Sequence, residues 1–197
     1  MAGIEVGQVA PSFRLPSGQG AEVGLDDYRE RNSLIVWFTK GLGCPFCRKH
    51  MTQIVRGYED FRTMNGEVLE ITTTPLKRAR LYIDNYDIPF PYLCDPERRV
   101  RQEWGLGMRP HSLAWYAKTM YAGITLKHPP TPFEDVSPAL GEFPGMLADD
   151  DMGFYILDKK GVVRYSVAGS YRTEAGARPI PSNDEIIQEL DLLREAA

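Results

Sequence analysis

One stretch constrains this chain more than any other: Leu34-Ile35-Val36-Trp37-Phe38-Thr39-Lys40-Gly41-Leu42-Gly43-Cys44-Pro45-Phe46-Cys47-Arg48. Ile35 to Phe38 is apolar, β-branched and aromatic, and too short for a helix, so it reads as a buried strand. Gly41 and Gly43 permit a sharp backbone turn. Pro45 suits a first helical position, where a missing N–H costs nothing. From Phe46 to about Met64 the apolar residues Met51, Ile54, Val55, Tyr58 and Phe61 recur at helical spacing. The stretch is strand, glycine turn, helix, with two cysteines where the helix begins.

That placement has a chemical consequence. A thiol at a helix N-terminus meets the positive end of the helix dipole and free backbone N–H groups, which favour the nucleophilic thiolate. Arg48 and Lys49 add positive charge beside Cys47. Cys44 and Cys47 are close enough in sequence to bridge across the first turn. A Cys-x-x-Cys that follows a strand and opens a helix points to redox chemistry. The alternative is part of a zinc site, which needs further thiol or imidazole ligands. Cys94, His50, His111 and His128 are the remaining candidates, and only His50 has ligand spacing.

Length and charge narrow the class. At 197 residues the chain can bury a substantial core without staples, and 43% hydrophobic with 25% charged residues is ordinary for a globular protein. No composition break divides it, so it reads as a single domain over 1–197 with an irregular insertion at about 108–151. A net charge of −4 argues against nucleic acid or an anionic membrane as partner. The Met-Ala-Gly-Ile-Glu-Val start lacks a signal-peptide pattern, and no apolar run reaches spanning length. Three cysteines do not make a disulfide framework. The expected compartment is the cytoplasm.

The remaining segments follow the same logic. Residues 13–25 suggest an N-terminal hairpin turning at Ser17-Gly18-Gln19-Gly20, with one helical turn at Asp26 to Arg29. Gly66 to Thr72 is the next strand. Thr74-Pro75 reads as an N-cap and first-turn proline for a helix to about Tyr86. Phe90 to Cys94 is a short strand, and about Glu97 to Trp104 a helix. Ser112 to about Ala122 has helical spacing, and five prolines between 129 and 144 then mark a long loop, read as a lid or an oligomer contact. Asp149-Asp150-Asp151 reads as a solvated turn. Gly153 to Val167 is a hairpin around Lys159-Lys160-Gly161. A final helix opens at Asn183-Asp184-Glu185, with Ile186, Ile187, Leu190 and Leu193 facing inward. This order implies an α/β fold, a mixed central sheet with helices on both faces.

Several segments together resemble the peroxiredoxins of the AhpC/TSA group, within the thioredoxin superfamily. They are Gly7-Gln8-Val9-Ala10-Pro11-Ser12-Phe13 with Leu15, Val23 to Tyr28, Ile35 to Phe38 with the cysteines, Ile88 to Pro96, and Phe154 to Gly161. The resemblance implies a thioredoxin-like fold with an N-terminal β-hairpin. The family motif is Pro-x-x-x-Thr-x-x-Cys, ending in the cysteine that attacks peroxide. Aligned here, Cys47 takes the cysteine position, Cys44 the threonine and Lys40 the proline. Met152 stands where the family carries an arginine, and Gly153 where thioredoxins carry a cis-proline. Cys-Pro-Phe-Cys itself resembles a glutaredoxin or thioredoxin active site. Arg48, Arg164 and Arg172 are candidates to replace the missing guanidinium.

The resemblance implies a thiol-dependent peroxidase acting on hydrogen peroxide or organic hydroperoxides. Cys47 attacks, Cys44 resolves, and a thioredoxin or glutathione system supplies electrons. The second reading is thiol–disulfide exchange with Cys44 attacking. The third is a metal-binding or sensor module built on Cys44, Cys47 and His50. Thr39 and Arg48 are the candidate substrate-binding residues. Neither redox reading calls for a cofactor, a metal, nucleic acid or a membrane, and a homodimer is compatible with both. Cys94 is read as a packed structural thiol, His50 as a partly exposed helix residue, and Trp37 as core or pocket wall.

Overall fold

The structure is a computed structural model describing residues 3–109, 149–170, 172–173 and 176–195, with isolated positions between 112 and 142. The strand expected around Ile35 becomes β3 (Ser33–Thr39), buried at every residue. The cysteine-bearing helix is α1 (Pro45–Thr63), with Cys44 as its N-cap and Pro45 at its start. Before them, β1 (Arg14–Pro16) and β2 (Glu22–Gly24) pair antiparallel, and a single 3-10 turn covers Leu25–Asp27. After them come β4 (Gly66–Thr72), α2 (Leu76–Asn85), β5 (Tyr92–Cys94), α3 (Arg99–Glu103) and β6 (Met108–Arg109). The chain closes with β7 (Asp149–Leu157), β8 (Val163–Ser170), the short pair β9 (Arg172–Thr173) and β10 (Gly176–Ala177), and α4 (Asn183–Glu195).

The central sheet is mixed, as the alternation of elements requires. Strand β3 lies parallel to β4 and antiparallel to β7, β4 lies parallel to β5, and β8 and β6 both pair with β7. Both faces are covered, which is why β3 and β4 carry almost continuous apolar runs. On one face Ile35, Trp37, Val68, Tyr92, Phe154 and Ile156 pack against α1, α2 and α4. On the other Val36, Phe38, Leu69 and Ile71 pack against α3 and the N-terminal hairpin, with Trp104 between Phe38 and Tyr155. In α4, Ile186 and Leu190 are buried and Ile187 and Leu193 pack partly against the same core. No helix among the described residues is long and apolar enough to cross a membrane.

Three local expectations are corrected. Asp149-Asp150-Asp151 is the start of β7, not a solvated turn. Asp149 and Asp150 pair with β6, Asp151 pairs with Ser170, and Asp151 is buried with its amide bonded to the Gly107 carbonyl at 2.8 Å. Thr74 does not cap α2. Pro75 occupies that position, and the Thr74 hydroxyl meets Tyr92 Oη at 3.0 Å. His50 is buried rather than partly exposed, its ring edge-on to Trp37 with centroids 6.3 Å apart. Within the insertion, Phe133 and Val136 are buried in the core that contains both active-stretch cysteines. Phe133 lies edge-on to Tyr86, and Glu142 accepts from Tyr82 Oη at 2.8 Å and Arg78 Nε at 3.2 Å. Most of the helix expected over 112–122 and most of the proline-rich loop lie outside the described residues.

Candidate active site

The site is built where β3 ends and α1 begins. Gly41 carries the turn at φ +80°, and any Cβ there would run into the hydroxyls of Thr74 and Tyr92. Side chains from the sheet pin the turn from below. The Gly41 amide donates to Thr39 Oγ1 at 2.9 Å, and the Leu42 amide donates to Tyr92 Oη at 3.1 Å. Arg48, one turn into the helix, closes it from above. Its Nε donates to the Leu42 carbonyl at 2.8 Å, and Nη2 reaches the Gly43 carbonyl at 3.5 Å.

Cys44 and Cys47 are 4% and 1% exposed. They are reduced and hydrogen-bonded to each other through sulfur. The Cys47 thiol donates to Cys44, and this is the largest reason the Cys44 pKa falls from 9.0 to about 6. Burial opposes the shift. The Lys40 ammonium and the amides of Cys47 and Phe46 reinforce it, although the sulfur makes no close capping bond to them. The hydrogen bond from Cys47 and the positive charge of Lys40 thus favour the thiolate form of Cys44.

Of the candidate arginines, Arg48 is brought to the thiols; its half-buried guanidinium senses the charge of Cys44 and, more weakly, Cys47. Arg164 forks onto Asp158 at 2.7 and 3.0 Å, at the far end of the β7–β8 hairpin. Arg172 falls on β9, and its side chain lies outside the described residues. Met152 is fully buried in the same core cluster as the cysteines, so an apolar side chain fills the arginine position. Thr39 gives its proton to Glu70 Oε1 at 2.8 Å while accepting from Gly41. Its hydroxyl is therefore engaged in tying the turn to β4.

Cys94 is buried on β5, and burial pushes its thiol up to about 12, the behaviour of a packed hydrophobe. Burial, with Lys49 adding to it, takes His50 down to about 4, so the ring is neutral. Among the described residues no group of three His, Cys, Asp or Glu side chains could hold a metal, so Cys44, Cys47 and His50 do not converge on one.

Sequence reasoning missed three residues here. Lys40 is buried and charged beside Cys44. Tyr92 supports Leu42. Arg101, also buried, joins two strand ends by donating to the carbonyls of Thr39 at 2.7 Å and Asp151 at 2.6 Å. A lysine directly after an apolar strand and a tyrosine inside a short buried one were available as signals. Nothing local marked Arg101.

Comparison with known proteins places this geometry. Residues 6–128 match the AhpC/TSA family. A Mycobacterium tuberculosis protein assigned to the peroxiredoxins is 34% identical over 99 residues, which cover 50% of this chain and 62% of that protein. The chain therefore spans less than two thirds of that relative's length. Chloroplastic peroxiredoxin Q of Triticum aestivum is 25% identical over 187 residues, covering 95% of this chain and 68% of the relative. Among solved structures, the reduced 2-Cys peroxiredoxin of Plasmodium vivax superposes with a TM-score of 0.63 at 15% identity, covering 97% of each chain, which shows a shared fold. The chain belongs to the AhpC/TSA family.

Proposed function

We propose that this protein is a thiol-dependent peroxidase in which Cys44 and Cys47 cycle between dithiol and disulfide. The observation that carries the reading is the pair of buried, reduced cysteines at the start of α1, with the Cys47 thiol hydrogen-bonded to Cys44. Family membership supports peroxide as the oxidant. Position in the family motif assigns the attack to Cys47. Cys47 passes its proton to the Cys44 thiolate, and the Cys47 thiolate so formed attacks the outer oxygen of the hydroperoxide. The O–O bond breaks, Cys47 becomes a sulfenic acid, and the departing alkoxide takes the proton from Cys44. The Cys44 thiolate then attacks the Cys47 sulfur and expels hydroxide, which leaves as water after taking a proton from solvent. An external dithiol of the thioredoxin or glutathione type returns two electrons. Arg48 is the guanidinium available to steady the developing negative charge, and no metal or cofactor enters any step.

A second reading is supported by one specific observation, that the Cys44 thiol is acidified, to a pKa of about 6, chiefly by its hydrogen bond from Cys47. The N-terminal cysteine of such a pair is the one that attacks in thiol–disulfide exchange, where Cys47 would then release the product. Single-turnover oxidation of the reduced protein by hydrogen peroxide and by an organic hydroperoxide separates the two. The variants are Cys44→Ser and Cys47→Ser, with mass spectrometry of the products. A fast reaction that requires Cys47, with sulfenic acid accumulating on it in Cys44→Ser, is expected. Oxidation no faster than that of a free thiol, with rapid exchange against glutathione disulfide, would overturn the peroxidase reading in favour of exchange.

A further inference from the structure

The insertion reaches the thiol pair by way of α2. Phe133 and Val136 are buried in the same core as both cysteines. Phe133 lies edge-on to Tyr86 of α2 with ring centroids 5.8 Å apart, and Tyr82, one turn earlier, is 6.4 Å from Tyr86. Both tyrosines act on the Arg48 guanidinium, which also senses Cys44 and Cys47. Arg48 thus links the thiols to the α2 tyrosines, and the tyrosines meet the insertion. One residue fastens that meeting. The Glu142 carboxylate is buried and both its oxygens are partnered. Tyr82 Oη donates to them at 2.8 and 2.9 Å, Arg78 Nε donates to Oε2 at 3.2 Å, and the Ala139 amide donates to Oε2 at 2.8 Å. The Arg78 guanidinium also lies 4.7 Å over the Tyr82 ring. Charge-assisted bonds of this kind are about twice as strong as neutral ones. Around the tie the insertion has little hold on the rest of the protein, since Pro132, Asp135, Ala139 and Leu140 are exposed.

A reductant must touch a sulfur. Its thiolate attacks one sulfur of the Cys44–Cys47 disulfide along the S–S axis, forms a mixed disulfide and releases the other sulfur as a thiolate. Its second thiol then breaks the mixed disulfide, so two electrons and two protons pass to the pair. With the cysteines 4% and 1% exposed, a dithiol carried on a protein has no surface from which to do this, whereas a small dithiol needs only a narrow opening. Strand β3 and the start of α1 are buried in the core and cannot yield without unfolding the sheet. The tie at Glu142 can be released alone. We propose that Tyr82 and Glu142 are specificity-determining residues for the reductant: while their tie is closed a small dithiol reaches the disulfide and a dithiol protein does not, and its opening admits the protein.

The inference rests on the dithiol–disulfide cycle of the proposed function but not on peroxide as oxidant. The full chain is oxidised with diamide, which takes up the two electrons and two protons of the dithiol. Reduction by a thioredoxin and by dithiothreitol is then followed by mass spectrometry of the thiols. Tyr82→Phe keeps the ring and removes its donor to Glu142. Loss of a hydrogen bond to a charged acceptor corresponds to about tenfold in an opening equilibrium. Reduction by thioredoxin should therefore rise about tenfold in Tyr82→Phe, with the dithiothreitol rate little changed. Rates equal to wild type, or rates that rise together for the two reductants, overturn the proposal. Cys94 shows whether the variant has merely loosened. Buried on β5, it should stay unlabelled by iodoacetamide in wild type and variant alike, and its labelling in the variant overturns a local tie. Hydrogen exchange in the wild type needs no variant. The Val136 and Glu142 amides, bonded to the Phe133 and Ala139 carbonyls at 3.3 and 2.9 Å, should exchange well before those of β3. Exchange of these amides only together with β3 overturns the proposal. Protein that forms its disulfide with diamide but does not react with peroxide would remove the proposed function and leave this inference standing.

Discussion

Replacing Cys47 with alanine tests the electrostatics of the site directly. The Cys47 thiol is the largest single cause of the acidity of Cys44, ahead of Lys40 and the helix amides. The whole depression, from 9.0 to about 6, corresponds to roughly 4 kcal/mol between the two protonation states. A hydrogen bond to a charged group contributes about 1.5–3 kcal/mol, and a thiol donor stands at the low end of that range. Cys47→Ala should therefore raise the midpoint of Cys44 alkylation by at least about one pH unit. At pH 7 the thiolate fraction would fall from about nine-tenths to about half or less. The assay is site-resolved alkylation against pH, in which Cys94 is silent because burial keeps its thiol at about 12. An unchanged midpoint in Cys47→Ala would refute the Cys47 hydrogen bond as the main cause and leave Lys40 and the helix amides as the source of the acidity.

Three other outcomes are expected. Gly41→Ala places a Cβ within 2.5 Å of Tyr92 Oη at a positive φ, and should cost about 2–5 kcal/mol from backbone strain and overpacking together, read as a lower urea midpoint. His50 should show no NMR titration above pH 5. Its pKa is lowered on folding, so the unfolded chain takes up the proton first. Stability is then lost as pH falls from about 6.5 toward 4, by at most about 3 kcal/mol, and His50→Leu should remove that part of the acid slope. Arg101→Met strips donors from the carbonyls of Thr39 and Asp151 and should lower stability by about 3 kcal/mol in thermal denaturation; a change below about 0.5 kcal/mol would show that these bonds contribute nothing net.

Much of this architecture is legible before folding because local chemistry and tertiary context agree. The strand, the glycine turn and the helix around the cysteines each have their own signal, and β4 occupies the range its sequence suggests. The disagreements arise where a polar residue is satisfied by something distant in sequence. The three aspartates resemble a turn, yet β6 and β8 give their backbones partners and draw Asp151 inside. His50 sits beside Arg48 and Lys49 and looks exposed, but helical geometry turns it inward against Trp37. Two cysteines announce the reactive atoms. The residues that set their acidity and hold their turn, Lys40, Thr39, Tyr92 and Arg48, come from three elements, and only the fold assembles them.

The pairing of β3 also bears on how the chain is made. Ile35 pairs on one side with Val68, soon after it in the chain, and on the other with Ile156, near the end. Closing the longer loop costs only about 1 kcal/mol more chain entropy, so the delay is one of synthesis rather than of equilibrium. During translation the turn at Gly41, the thiol pair and their supports on β4 and β5 can assemble while β7 does not yet exist. Until it does, Leu34 to Phe38 present an unpaired apolar edge, the kind that joins other chains. The nucleophile can thus be ready before its own strand is protected, and a nascent chain stalled before β7 would be both reactive and prone to aggregate.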